Sequence, residues 1–140
     1  MNQLKLADQA YQDRRYAEAE EAYLRYAQGI DGIAHKTQAE SRAAACRMRL
    51  ERYEEAGDLL LSVVQRILDA ENTLLSYGIS KLLKLACLCY LISGHENKFK
   101  STLSNDRLLD HVRTELQNRD FQKSSCACFD EKFLLSKLNA

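Results

Sequence analysis

The residues of this chain with the most reactive side chains are its five cysteines and three histidines. Four of the cysteines form two Cys-x-Cys pairs, Cys87 with Cys89 and Cys126 with Cys128, and four thiolates could bind a zinc ion. Residues two apart on a helix point to nearly opposite sides, whereas structural zinc usually takes Cys-x-x-Cys turns with converging sulfurs. We therefore interpret both pairs as small core residues and predict neither a metal nor any other cofactor.

A thiol nucleophile with a histidine base is the second chemistry that these residue types allow. Cys46 could be paired with His35, His95 or His111. None of the four lies in a recognisable catalytic turn, and free cysteine is among the residue types most often buried. The sequence therefore predicts a protein without enzymatic activity.

Carboxylates form two strings that could act as paired acids or as a cation site. Both strings fall in the first turns of predicted helices, where negative charge favours the helix dipole and a solvated face. This position favours a structural role over a chemical one. The strings are Glu18, Glu20 and Glu21, and then Glu51, Glu54, Glu55 and Asp58.

Five basic residues are the candidate partner-binding site. They are Arg42, Arg49 and Arg52 along one side of the third predicted helix, and Lys81 and Lys84 on one face of the central helix. In a stack of helical hairpins, equivalent helices line one curved surface, so these cations could converge and receive an acidic helical partner. Ordinary ion pairing with Glu40, Glu51 or Asp58 at helical spacing is the competing interpretation, and it is slightly favoured.

The elements that would position these residues are arranged around the most apolar stretch of the chain, residues 77–94. A helix that is apolar nearly all round must be covered on most sides. A membrane span needs roughly 20 apolar residues, and Lys81 and Lys84 leave this run too short. We therefore predict that it is the central helix of a stack of helices.

Composition and spacing predict an all-α fold. The chain has no proline and five glycines in 140 residues, and these are the residue types that cost most inside helices. We predict a right-handed superhelical stack of antiparallel helical hairpins in a single domain over residues 1–140. The predicted hairpins cover about 3–28, 34–70, 76–103 and 105–129, with a capping helix at about 131–138. Helices within the first hairpins are predicted at about 3–12, 16–28, 34–51 and 53–70.

Charge and cysteine usage exclude several classes of protein. Twenty basic residues balance twenty acidic ones, whereas nucleic-acid binding by bulk electrostatics normally needs a basic excess. The odd number of cysteines does not resemble a disulfide framework, and the first residues lack the order of a signal peptide. We predict a cytoplasmic protein with at most peripheral membrane association and no nucleic-acid partner.

A repeated pattern links the first two hairpins. Tyr16-x-x-Ala19 and Tyr53-x-x-Ala56 occupy the same place in each hairpin, 37 residues apart. Hairpins repeat when each can bury its apolar face only against the next. The pattern resembles tetratricopeptide repeats. The small and aromatic packing residues of that motif correspond to Leu6, Ala7, Ala10, Tyr16, Ala19 and Tyr23, and in the second copy to Ala44, Tyr53, Ala56 and Leu60.

A closer resemblance involves the run ERYEEAGDLLLSVVQRILDAENTLLSYGISKLLKLACLCYLISG, which is similar to the soluble NSF-attachment proteins, the SNAP family. The residues that carry it are Leu74, Leu75, Tyr77, Leu88, Cys89 and Tyr90. The similarity covers roughly residues 1–135 and corresponds to the C-terminal half of a family member. It implies a non-catalytic adaptor that coats a SNARE helical bundle through basic residues on its concave face and recruits the hexameric ATPase NSF. Lys81 and Lys84 fall close to the family's basic positions.

Two other interaction roles are compatible with the sequence. A generic tetratricopeptide scaffold subunit would clamp a peptide or helix of an unrelated complex, with Lys81 and Lys84 on its concave face. A subunit of a permanent assembly would instead expose apolar ends near Leu4 and Leu138, and the isolated chain would self-associate.

Overall fold

The fold is taken from a computed structural model, which describes residues 3–70, 78–104, 113–114, 133–134 and 136–137. The predicted hairpin at about 105–129 lies outside the described residues except for 113–114, and so does part of the predicted capping helix. Every regular element in the described part of the chain is an α-helix, which confirms the all-α prediction there. The six longer helices are α1 (Gln3–Gln12), α2 (Tyr16–Gln28), α3 (Ile33–Arg49), α4 (Tyr53–Ala70), α5 (Ile79–Ile92) and α6 (Glu96–Leu103).

Three of the corners between helices share one backbone geometry. Each contains a residue with a left-handed backbone, namely Arg14 with φ +63°, Glu51 with φ +62° and Gly94 with φ +77°. In each corner the amide of that residue donates to the carbonyl three residues back, and the next amide donates to the carbonyl five residues back. This pair of bonds is the Schellman motif, which satisfies the last carbonyls of a helix. The next helix begins two residues after the left-handed residue in all three cases.

The corner after α3 corrects the predicted end of that helix. Spacing predicts a helix to residue 51, but α3 ends at Arg49 because Glu51 takes the left-handed conformation that closes the Schellman motif. Arg52 therefore lies outside α3, directly before α4. The prediction that Arg52 lies along one side of the third helix is wrong for this reason.

Each helix from α1 to α5 packs on the helix that follows it, and the buried side chains form two clusters. The first, which we call the alanine core, joins α1, α2 and α3. The second, the aliphatic core, surrounds α5 and includes most of the buried face of α4. The alanine core consists of Ala7, Ala10, Ala19, Tyr23, Ala43 and Cys46. The aliphatic core includes Leu60, Val63, Val64, Ile67, Leu82, Leu83, Leu85, Leu88 and Tyr90.

Helix α5 is covered on nearly all sides, as its composition predicts. All nine residues from 82 to 90 are buried. Helix α4 approaches α5 closely at Gly57, where a β-carbon would lie 2.8 Å from the Tyr90 ring. A glycine is therefore required at this contact. None of the helices in the described ranges is long and apolar enough to cross a membrane.

Candidate functional site

The five predicted partner-binding cations lie on two helices and in one corner between helices. Arg42 and Arg49 lie on α3, Arg52 lies in the corner between α3 and α4, and Lys81 and Lys84 lie on α5. Arg42 and Lys81 line the same cleft. The other three have separate surroundings: Arg49 contacts Phe133, Arg52 binds Glu20 and Glu55, and Lys84 is buried.

Arg42 joins the first three helices through a network with Asp8 and Tyr23. Its Nη1 donates to Asp8 Oδ1 at 2.8 Å, and the Tyr23 hydroxyl donates to the same carboxylate oxygen. The guanidinium carbon of Arg42 lies 6.0 Å from the centre of the Tyr23 ring, a distance at which a cation–π attraction operates. Burial, followed by the hydrogen bond to Asp8, raises the pKa of Tyr23 well above its ordinary value.

Arg52 belongs to a second network, centred on the buried carboxylate of Glu20. Arg52 Nη1 donates to Glu20 Oε1 at 2.9 Å, and Arg47 Nε donates to Glu20 Oε2 at 2.6 Å. Arg52 Nε also donates to Glu55 Oε2 at 2.6 Å, and this hydrogen bond raises the pKa of Arg52. The network ties α2 to the end of α3 and the start of α4.

The ion-pair partners predicted from helical spacing are wrong for Arg42 and Arg52. Arg42 pairs with Asp8, and Arg52 pairs with Glu20 and Glu55, so Glu40, Glu51 and Asp58 are not their partners. Glu40 instead pairs with Arg66 of α4. Spacing along one helix cannot identify a carboxylate that another helix brings into contact.

Arg49 contacts an aromatic ring. Its guanidinium carbon lies 3.8 Å from the centre of the Phe133 ring, which is the distance of a stacked cation–π pair. Phe133 belongs to the predicted capping helix, and Leu134 beside it is fully buried. The contact therefore brings part of the C-terminal segment against α3.

Lys81 and Lys84 differ in exposure although they lie three residues apart. Lys81 is exposed, whereas Lys84 is only 7% exposed. Lys81 has no ion-pair partner within the described part of the chain. Of the two lysines, Lys81 is therefore the one that a partner can reach.

The cleft beside Lys81 lies between α3, α4 and α5 and has a volume of about 430 Å³. Its floor is apolar, and its rim carries amide, hydroxyl and cationic groups. No carboxylate is found among the described residues that line it. The floor consists of Met48, Leu60, Ile67, Leu82 and Leu85, and the rim includes Thr37, Gln38, Ser41, Arg42 and Lys81.

A third polar network, which the sequence reasoning missed, joins α4, α5 and α6. The Tyr90 hydroxyl donates to Asp58 Oδ1 at 2.7 Å, and Lys98 Nζ lies 3.1 Å from both oxygens of Asp58. Glu54 contacts His95 and lies 3.6 Å from Lys98. Burial, followed by the hydrogen bond to Asp58, raises the pKa of Tyr90. No spacing signal connects Asp58 to Lys98, because 40 residues separate them.

A second, smaller cleft of about 280 Å³ lies beside this network, with Asp58 and Lys98 both on its wall. These two charges neutralise each other at 3.1 Å. The smaller cleft therefore has no net preference for an anion or a cation. This distinguishes it from the cleft at Lys81.

The cysteines occupy the core. Cys46, Cys87 and Cys89 are buried and form no disulfide within the described residues, and burial raises the pKa of Cys87 to about 12. A thiolate is therefore scarce at Cys87 near neutral pH. Within the described ranges, no three His, Cys, Asp or Glu side chains gather as a metal site would need. Cys126, Cys128 and His111 lie outside those ranges.

Comparison of the chain with known protein families, curated proteins and solved structures found no match. The resemblance to tetratricopeptide repeats and to the SNAP family therefore stays a hypothesis based on the sequence. Of the residues that carry the SNAP resemblance, Leu88, Cys89 and Tyr90 are buried in the aliphatic core. Leu74, Leu75 and Tyr77 lie outside the described residues.

Proposed function

We propose that this chain is a non-catalytic adaptor that binds an acidic helical segment of a partner protein. In this proposal the helices form a right-handed superhelical stack of hairpins in a single domain. In its most specific form, the partner is a SNARE-type helical bundle to which an NSF-type ATPase is then recruited. The adaptor is then cytoplasmic, with at most peripheral membrane association.

The observation that carries the proposal is the setting of Lys81. This lysine is exposed and has no ion-pair partner among the described residues. It shares the rim of the larger cleft with Arg42, and no described carboxylate lines that cleft. Such a cation is open to a carboxylate from another chain, whereas Arg47 and Arg52 already bind Glu20. Complementary charge of this kind contributes to specificity and to the rate of association.

The SNARE-specific form rests on the sequence resemblance, and the buried residues that carry it support only part of it. Leu88, Cys89 and Tyr90 are buried, so they bear on how helices pack and not on which partner is bound. The claim about the partner depends on exposed cations, of which Lys81 is the best placed.

The alternative, a generic tetratricopeptide scaffold subunit, is favoured by a different observation. The corners at Arg14 and Glu51 have the same hydrogen bonds and the 37-residue spacing of the sequence repeat. A repeated corner supports a repeated hairpin but does not select a partner. The two roles therefore differ in the partner alone.

The deciding experiment is binding of the purified chain to an assembled SNARE bundle at low and at moderate salt. Lys81→Glu is the test variant, and Lys100→Glu is its matched control because Lys100 is exposed on α6 and does not line the cleft. We expect Lys81→Glu to weaken binding by about tenfold and added salt to weaken binding of the wild type, because exposed charges are screened. Lys84 is not substituted, since it is buried and its replacement would disturb the core.

The results separate the two roles. Binding that Lys81→Glu reduces and Lys100→Glu preserves supports the SNARE adaptor. Failure of every form to bind the bundle contradicts the SNARE adaptor and leaves the scaffold role. Equal binding by the wild type and Lys81→Glu contradicts the assignment of the binding surface to Lys81.

A further inference from the structure

We propose that the cleft between α3, α4 and α5 is an anchor site that receives one aliphatic side chain of the partner helix, with a partner carboxylate placed at Lys81. The inference rests on the proposed adaptor function and specifies its recognition chemistry. The partner helix therefore carries an acidic and an aliphatic residue on the same face.

The floor of the cleft indicates an aliphatic ligand group. Met48, Leu60, Ile67, Leu82 and Leu85 are buried in the core, yet they also border an open volume of about 430 Å³. Ligand pockets occupy about 300–1,000 Å³ and are lined mainly by apolar groups with a few polar ones. An aliphatic side chain placed here contacts these five residues and leaves water, which is favourable in proportion to the apolar area buried.

The rim indicates an anion. Among the described residues that line the cleft, the charged ones are Arg42 and Lys81, and both are cations. Arg42 is already bound to Asp8 at 2.8 Å, so Lys81 is the cation whose charge is not offset by a described carboxylate. A carboxylate that docks at Lys81 forms a charge-assisted hydrogen bond, one of the stronger polar contacts in proteins.

The hydroxyl of Thr37 is a second, independent sign of an incomplete site. Thr37 is 9% exposed, and its Oγ1 is shielded from solvent without a hydrogen-bond partner among the described residues. Buried hydroxyls are normally hydrogen-bonded, and an unsatisfied one is unfavourable. Thr37 lines the cleft, so rotation of its side chain towards the cleft would let a polar group of a bound helix supply the missing partner.

An amphipathic helix is the occupant that presents both groups together. Residues three or four apart on a helix share one face, so a glutamate and a leucine at this spacing reach the rim and the floor at once. Helices that lay an apolar face into a groove are a recurrent mode of recognition. The smaller cleft at Asp58 and Lys98 does not suit this ligand, because its charges already pair.

The test uses three synthetic helical peptides of about 15 residues, long enough to form a helix when bound. The parent peptide carries Glu and Leu four residues apart on one face. The second replaces that Glu with Gln, and the third replaces that Leu with Ala. Affinity for the full chain is measured by fluorescence anisotropy. We expect the parent to bind, and each altered peptide to bind about tenfold more weakly.

Protein variants assign each peptide group to its contact. In Lys81→Gln the Glu and Gln peptides should bind equally, whereas Lys100→Gln should keep the tenfold difference. Ser41→Leu places an aliphatic group in the cleft and should abolish the difference between the Leu and Ala peptides. Thr37→Val should leave the melting temperature unchanged or higher, because it removes an unsatisfied hydroxyl, and should weaken binding of the parent peptide by about threefold.

The inference is overturned if the Glu and Gln peptides bind the wild type equally, or if Ser41→Leu leaves the effect of the peptide leucine intact. Binding to vesicles of anionic lipid with no binding of the parent peptide also overturns it. Peptide binding with the expected variant pattern supports the anchor site even if the SNARE bundle does not bind. Bundle binding without the peptide pattern supports the adaptor and contradicts the anchor site.

Discussion

In the alanine core the interface of α1, α2 and α3 is built from small side chains, and Tyr23 is the largest residue that it buries. In the aliphatic core the interface of α4 and α5 is built mainly from leucine, valine and isoleucine. Small residues let helices approach closely, but each buries little apolar area, so the hydrophobic contribution per residue is lower. The aliphatic core gains more from burial alone.

Charged groups are buried to different degrees in the two regions. Glu20, whose carboxylate binds Arg47 and Arg52 beside the alanine core, has a side chain that is 11% exposed, whereas Asp58 in the network of α4, α5 and α6 has one that is 49% exposed. Breaking a buried ion pair is costly because it leaves one charge uncompensated. We therefore expect the alanine core to be more sensitive to loss of a charge partner, and the aliphatic core to be more sensitive to loss of side-chain volume.

The largest effect is expected in the aliphatic core. Leu88→Ala removes a fully buried side chain from α5 and should lower the free energy of unfolding by about 2–5 kcal/mol, since it leaves a cavity. Urea denaturation measures the change. Leu6→Ala is the control, because Leu6 is 49% exposed and its loss should change stability by less than about 0.5 kcal/mol. If both variants lost a similar free energy of unfolding, the buried leucine of the aliphatic core would contribute no more to stability than an exposed one.

A smaller loss is expected when the charge network beside the alanine core is broken. Glu20→Gln leaves Arg47 and Arg52 without their shared carboxylate and should lower stability by about 2 kcal/mol. The loss in the free energy of unfolding should be smaller than for a fully buried pair, because the Arg52 side chain is 41% exposed and solvent partly screens its charge.

The neighbouring residue offers a matched control for this variant. Glu21 pairs with Arg25, but their side chains are 70% and 63% exposed. Glu21→Gln should therefore change the free energy of unfolding by less than about 0.5 kcal/mol. If the two glutamine variants had equal stability in urea, the network at Glu20 would contribute no more to the free energy of unfolding than a surface ion pair.

The two buried tyrosines allow the regions to be compared at high pH. Burial and a hydrogen bond to an aspartate raise the pKa of both Tyr23 and Tyr90 in the folded state, whereas in the unfolded chain each has its ordinary pKa near 10. The protonated hydroxyl is thus favoured by folding. This stabilising contribution is complete below pH 10 and is lost as the pH rises further, so stability should fall there.

Substitution by phenylalanine tests this dependence in each region. Tyr23→Phe and Tyr90→Phe should each lower stability at neutral pH by about 1–2 kcal/mol, because Asp8 or Asp58 loses a donor. Each should also reduce the fall in stability above pH 10. Tyr26→Phe is the control, since no side-chain hydrogen bond joins Tyr26 to another residue of the described part. An unchanged alkaline transition in both variants would contradict the assignment of that transition to these hydroxyls.

The helices could be predicted from the sequence because every local signal agrees. Apolar residues recur at helical spacing, proline is absent, and the predicted bounds of α1, α2 and α4 match those observed. The end of α3 was not predictable from periodicity, since Leu50 continues its apolar pattern. What ends the helix is the left-handed backbone of Glu51, a residue type that carries no strong signal for that conformation.

The site was less predictable because its contacts join distant parts of the chain. Arg42 and Asp8 are 34 residues apart, and Arg52 and Glu20 are 32 residues apart. Helical spacing places Lys81 and Lys84 on one side of α5, but it cannot show that the packing of α5 buries only Lys84. Composition does predict that α5 is enclosed, and this is the reason that so few of its polar groups reach solvent.

The smallest effects are expected at the shared corner, which occurs in both regions. Gly94→Ala, at φ +77°, should lower the free energy of unfolding by about 1 kcal/mol, because a β-carbon is unfavourable in the left-handed conformation. Glu51→Gly should raise it by about 0.5 kcal/mol, since relief of that cost exceeds the added entropy of the unfolded chain.

Gly29→Ala is the control, because its φ of −91° suits any residue and its added β-carbon has ordinary contacts. Denaturation of the three variants should therefore give one loss and two small gains. A loss in Glu51→Gly would mean that the Glu51 side chain stabilises its corner by more than its backbone costs, so that the two corners share hydrogen bonds but not energetics.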